Sequence, residues 1–192
     1  MKKLIIVFAL VAASVGAYAQ ASVAIGIKGG VNFAKLDGST TVKSNFDSRT
    51  GYHFGAFTLF KFSKIGIQPE VLFSQQGSKV KVNTGSFDGN FSYINVPVIV
   101  KLYTVAGINL QVGPQFGFLS RAEIDNNDVK DSFKKSDFSL ALGAGWDIPF
   151  GVTIDARYNL GLSKIEDDPA YQNIKNQVIQ ISVGYKLFKF GK

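Results

Sequence analysis

There is no cysteine in the 192 residues, and there is only one histidine, one tryptophan and one methionine. Without thiols the chain has no disulfides, no thiolate metal site and no acceptor for a lipoprotein anchor. A lone histidine, His53, is poor material for nucleophilic catalysis, which needs a nucleophile, a base and an orienting group together. Helical periodicity is also missing beyond the N-terminus. So is any arginine-rich stripe, although 21 basic residues outnumber 14 acidic ones and the formal charge is +7. The cations are scattered over segment ends and connections, which argues against nucleic acid as a partner. They read as snorkelling lysines, with a basic rim able to touch anionic lipid or lipopolysaccharide phosphate.

What is present begins with a three-part leader. "MKKLIIVFALVAASVGAYA" has a basic start (Lys2, Lys3), an apolar run and the small-residue pattern Ala17-Tyr18-Ala19. Residues 1–19 are expected to be a signal peptide cut before Gln20, with 20–192 as one β-barrel domain. Loss of Lys2 and Lys3 leaves +5 on the exported chain.

Eight segments then alternate with period two: Ser22–Leu36, Gly51–Phe62, Ile65–Lys79, Asn90–Thr104, Ile108–Ile124, Ser136–Ile148, Val152–Ile165 and Asn176–Phe190. Each reaches or exceeds the roughly 9–11 residues with which a tilted strand crosses a bilayer. In "VTIDARYNLGLSK", Val152, Ile154, Ala156, Tyr158, Leu160 and Leu162 form one face, and Thr153, Asp155, Arg157, Asn159, Gly161 and Ser163 the other. The second segment is apolar on both faces; Phe54, Ala56, Phe60 and Phe62 are assigned to its outer side. Elsewhere the face opposite the apolar one is small and polar, which cannot fill a soluble core but can line a lumen. A lipocalin-like barrel would invert this arrangement.

The connections alternate in length. Asp37–Thr50, Val80–Gly89, Asp125–Lys135 and Glu166–Lys175 are long and polar. Ser63-Lys64, Val105-Ala106-Gly107 and Pro149-Phe150-Gly151 are short. Long loops at one end and tight turns at the other is the layout of a bacterial outer-membrane barrel. Aromatics gather at segment ends, as interfacial girdles do: Phe60, Phe62, Tyr103, Trp146, Phe150, Phe188 and Phe190 beside the short turns, and Tyr52, Phe91, Phe118 and Phe138 beside the long loops. The expected fold is therefore an all-β, eight-stranded antiparallel up-and-down transmembrane barrel in a Gram-negative outer membrane.

Specific residues carry a resemblance. "GIKGGVN" supplies Gly26, Lys28, Gly30 and Asn32. It is followed by Gln68-Pro69-Glu70, by Tyr93 with Pro97, by "GPQFGFL" over 113–119 and by "ISVGYKLF" near the end. In order and spacing the chain resembles the outer-membrane β-barrel domain family common in Bacteroidota, sometimes called PorT-like. The resemblance covers nearly all of the exported chain. It implies a monomeric eight-stranded barrel in an outer membrane and little about activity, because a fold does not carry a role with it.

With apolar faces toward lipid, eight charges point inward: Lys28, Lys61, Glu70, Lys101, Asp147, Asp155, Arg157 and Lys186. They are expected to form a pairing network that shuts the lumen, with Asp155 and Arg157 meeting Glu70, Lys101, Asp147 and Lys186 on neighbouring strands. The functional expectation is a structural or surface-binding protein acting through its long loops, with Asp37–Thr50 and Asp125–Lys135 foremost, and possible contacts with other envelope proteins. The alternatives are a narrow passive channel, a component of a secretion machinery, or, furthest, a lipid-modifying enzyme built on His53 with Ser74, Ser120 or Ser139. No catalytic residue, cofactor or metal is expected. "DNND" (125–128) and "EDD" (166–168) lack the glycine placement of an EF-hand loop, and "GIKGG" lies within a strand rather than before a helix.

Overall fold

Period-two alternation becomes eight antiparallel strands, numbered in order around the barrel: β1 Ala21–Asp37, β2 Asn45–Phe62, β3 Ile65–Val82, β4 Gly85–Tyr103, β5 Ile108–Ile124, β6 Ser136–Asp147, β7 Val152–Gly161 and β8 Lys175–Phe190. The computed structural model describes residues 21–37, 45–82, 85–124, 127–128, 136–162 and 175–191, and the side chains within 21–33, 50–75, 92–121, 136–162 and 177–191. The proposed signal peptide, most of the Asp125–Lys135 and Glu166–Lys175 loops, and the side chain of Phe91 lie outside the described residues. Each strand pairs with the next, and β8 returns to pair with β1 from Val23↔Phe190 to Asp37↔Lys175. Closure leaves no open sheet edge within the ring, which is what lets strands stand in hydrocarbon.

Outside, Ile27, Phe54, Ile67, Leu142, Ile154 and Val183 are all exposed, and the same holds along every strand. A wall of this extent is far larger than the apolar patches water-soluble proteins tolerate. Inside, Lys101, Gln68, Asn32, Asn109 and Asp155 are buried. The second strand follows its assigned phase: Phe54 and Ala56 are exposed, while His53, Phe57 and Leu59 turn inward.

Three expectations need correction. The lumen is not uniformly small and polar, because Phe57, Leu59, Leu72 and Ile99 are buried within it. The aromatic ring of Phe57 lies over Gly26 and the side chain of Leu59 over Gly66, where a Cβ would obstruct them. Tyr103 is not a girdle residue: it is buried and its hydroxyl donates to Asp147 Oδ2 at 2.8 Å. Val80–Gly89 is not a long loop. β3 and β4 stay paired out to Val82↔Gly85, and β2 joins this extension with Asn45↔Lys81, so 45–50 of the expected Asp37–Thr50 loop is strand as well. These strands run past the length a bilayer needs, and backbone pairing continues there without any apolar demand on side chains. A two-residue piece, Asn127–Asp128, likewise folds back on Glu123 and Ile124.

The short connections lie where the pattern placed them. Ser63-Lys64 closes a two-residue hairpin between β2 and β3, with Ser63 at φ 52. Thr104 and Ile108 are joined by a 2.8 Å backbone bond across the next turn. The third turn is a single 3-10 step, Pro149–Gly151, with Phe150 at φ 72 and Gly151 at φ 93.

Candidate functional site: the lumen

Strand phase decides which polar groups meet. On β7, Asp155 and Arg157 both face inward, two residues apart. Gly143 and Gly145 of β6 leave the room they need: a Cβ at Gly145 would collide with Gln111, Asp155 and Asn109, and one at Gly143 would press on the Arg157 stem. Arg157 donates from both terminal nitrogens to Glu70, at 2.9 Å and 2.7 Å. β3 and β7 stand four strands apart in a ring of eight, so this two-pronged bond crosses the lumen from wall to wall. Planar guanidinium and carboxylate match in this fork geometry, which fixes direction as well as charge.

The rest of the chain of ions branches from that bond. Lys28 Nζ lies 2.7 Å from Asp155 Oδ2 and 3.5 Å from Glu70 Oε1. Lys101 lies 3.4 Å from both Asp155 and Asp147. Lys186 meets Asp147 at 2.7 Å. Seven of the eight charges named from the sequence are thus within 4 Å of an opposite charge. Lys61 is instead placed over the ring of Tyr103, 4.0 Å from its centre, and joins the group through that residue. The partners stand mostly across the lumen or two strands away rather than on adjacent strands, because adjacent lumen positions are held by glycine and by Thr153 and Ser182.

Neutral amides add donors and acceptors to the ions, although the Oε1 atoms of Gln68 and Gln180 have no partner. Gln111 accepts from Arg157 Nε at 2.6 Å and donates to Asp155 Oδ1 at 2.6 Å. Gln68 donates to Glu70 Oε1 at 2.7 Å. In the dry interior each ion needs such company, since desolvation otherwise outweighs pairing.

Toward the long-loop end lies a second cluster around His53. Asn32 Nδ2 donates to Ser74 Oγ at 2.9 Å, so its Oδ1 faces His53 Nδ1 at 2.8 Å and accepts from it. That leaves Nε2 to accept the Ser182 hydroxyl, 2.8 Å away. The tautomer follows from the amide's orientation. The arrangement has the order of a hydroxyl, imidazole and amide triad. His53 and Ser182 are each 1% exposed, however, and neither lines the two cavities described below. Of the serines considered from sequence, Ser74 joins this cluster, while Ser139 does not and Ser120 is exposed. Ser182 was missed, although it lies on the polar face of β8; only closure of β8 onto β1, with Gly30↔Ser182 and Gly30↔His53, brings it to the imidazole.

A polar cavity of about 10 Å³ follows, lined by Tyr93, Asn95, Gln115, Asp137, Ser139 and Asn159 among others. This is roughly the space of one water. Asp137 Oδ1 and Asn159 Oδ1 lack protein partners there. The other cavity, about 570 Å³, opens at the short-turn end. Among the described residues, no three His, Asp or Glu side chains are grouped to hold a metal ion.

A closed eight-stranded sheet, apolar outside and ion-paired within, defines an integral outer-membrane β-barrel. The chain belongs to the outer membrane protein beta-barrel domain family, whose model matches residues 18–167. Its structure is similar to that of Neisserial surface protein A (TM-score 0.56, 15% identity, covering 85% of this chain and 97% of that one). It is also similar to the attachment invasion locus protein Ail of Yersinia pestis (TM-score 0.51, 19% identity, covering 89% of this chain and 99% of that one). A second structure of Ail, in complex with the heparin analogue sucrose octasulfate, aligns with TM-score 0.52 and 15% identity. At these identities the likeness is one of fold. Comparison with curated proteins gives no match.

Proposed function

We propose that this protein is a closed outer-membrane scaffold whose lumen is shut by its ion network and whose long loops provide the surface for binding. The observation that carries the reading is the Arg157–Glu70 fork, which spans opposite walls and is joined to Lys28, Asp155, Lys101, Asp147 and Lys186. An eight-stranded barrel has an interior that side chains just fill, so a bar across it leaves no aqueous path. The long-loop end, including the β1–β2 connection after Asp37 and the Asp125–Lys135 stretch, supplies a surface on a rigid support, which is where binding usually resides. Within the family we place the chain with the Bacteroidota PorT-like barrels, on Gly26, Lys28, Gly30, Asn32 and Gln68-Pro69-Glu70. Lipid and lipopolysaccharide surround a monomer in this reading. The Ser182–His53–Asn32 cluster is a structural brace rather than a catalytic site, because an acyl substrate would need space beside Ser182 that the packed lumen does not offer.

Proteoliposome swelling tests closure. Vesicles carrying the folded barrel should swell in a small sugar no faster than empty vesicles. Swelling that scales with barrel content and falls with solute size would replace the scaffold by a passive channel.

A further inference from the structure

The short-turn end carries a feature that goes beyond lumen closure. A cavity of about 570 Å³ opens between the β4–β5 turn, the β6–β7 turn and the ends of β2 and β8. Its lining includes Lys61, Lys186 and Lys189 against one carboxylate, Asp147. Asp147 is already held by Lys186 at 2.7 Å and by Lys101 at 3.4 Å, so positive charge is in excess at the mouth. The walls are apolar and aromatic. Trp146 is fixed by its indole N–H, which donates to Ala106 O at 2.9 Å. Phe150 is 93% exposed. It also holds φ 72, a left-handed conformation that glycine adopts freely and a bulky side chain rarely does. A large ring is thus displayed at the membrane boundary from a backbone position that local preference would give to glycine.

We propose that this mouth binds the anionic phosphate headgroup of a glycerophospholipid from the periplasmic leaflet of the outer membrane. Lys61 and Lys189 meet the phosphate, while Trp146 and Phe150 receive the glycerol and upper acyl region. Surplus cations beside an aromatic belt match a ligand that is charged at one end and apolar at the other. A free phosphate would use the lysines but leave the exposed ring of Phe150 without a role. The lining Gly151 abuts the ring of Tyr185, which is exposed on the lipid-facing side of β8, so a bound lipid stays continuous with its own leaflet.

Native mass spectrometry of the folded barrel in mild detergent tests the site, with phosphatidylglycerol and phosphatidylcholine of identical acyl chains as probes. Phosphatidylglycerol should be retained preferentially. Lys61→Gln and Lys189→Gln should each weaken its retention about fivefold. Phe150→Gly should weaken it as well, while the variant still migrates as a folded barrel before boiling. Equal retention of the two lipids by the wild type would overturn the proposal, and this comparison needs no variant to fold. Displacement by inorganic phosphate alone, with Phe150→Gly without effect, would reduce the site to one for free anions and overturn the lipid occupant. A conducting lumen would leave the lipid preference in place, so failure of the closed-scaffold reading and failure of this one are separable.

Discussion

Arg157 does more than cancel a charge. Its fork holds Glu70 on the far wall, and its Nε is taken by Gln111, so three strands depend on one side chain. Arg157→Ala strips Glu70 of its strongest partner and leaves buried charge behind. It should destabilise the barrel by about 3–5 kcal/mol, read from urea unfolding in lipid vesicles. Arg157→Lys should recover only part of that, because an ammonium is a point charge and cannot bond both carboxylate oxygens in one plane. A loss below roughly 1 kcal/mol for the alanine variant would mean that the ions are solvated and the bar is not closed. At Gly145 the demand is space rather than charge. Gly145→Ala pushes a methyl group into Gln111 and Asp155 and should cost about 1–3 kcal/mol in the same assay, with Asn109 and Gln111 displaced. The His53 cluster gives a neutral counterpart: Asn32→Ala leaves the imidazole N–H without its acceptor and should cost about 1–3 kcal/mol.

At the scale of the strand, everything follows from which face meets lipid. Leu142 on β6 is exposed, and its cross-strand partners Val112 and Tyr158 are exposed with it. Leu142→Arg should therefore cost about 2–4 kcal/mol in bilayer-folded protein, as charge at the midplane does. A near-neutral effect in bilayers would place that face in water and invert the barrel. The alternation that makes this prediction was legible directly, because a period of two sorts side chains onto faces without any knowledge of neighbours. β2 was harder to read. Phe57 and Leu59 look like lipid-facing residues in the chain, but they point inward where Gly26 and Gly66 on the flanking strands leave room. That complementarity lies across strands and is invisible along one. The polar stretch Val80–Gly89 misled in the opposite sense. Its Ser and Gly residues read as a loop, while ladder pairing keeps 80–82 and 85–89 extended.

At the scale of the molecule, closure is the step that local patterns do not contain. The eight inward charges could be named from strand phase alone. Their partners required the ring: Glu70 and Arg157 are 87 residues apart in the chain and on opposite walls, and Ser182 reaches His53 only because β8 returns to β1. Continuous pairing around that ring should make the folded form resist detergent, so unboiled protein should migrate differently from boiled protein on a gel and fractionate with the outer membrane. A fraction soluble in the periplasm, unchanged by boiling, would contradict the wall of exposed Ile, Leu, Val and Phe. Whether the ion network shuts the lumen is read by planar-bilayer recording of single barrels. Wild-type protein should show no conductance steps, and the paired Glu70→Ala/Arg157→Ala variant should introduce them. A steady conductance in the wild type that Arg157→Ala abolishes would show that the same charges line a path rather than close it.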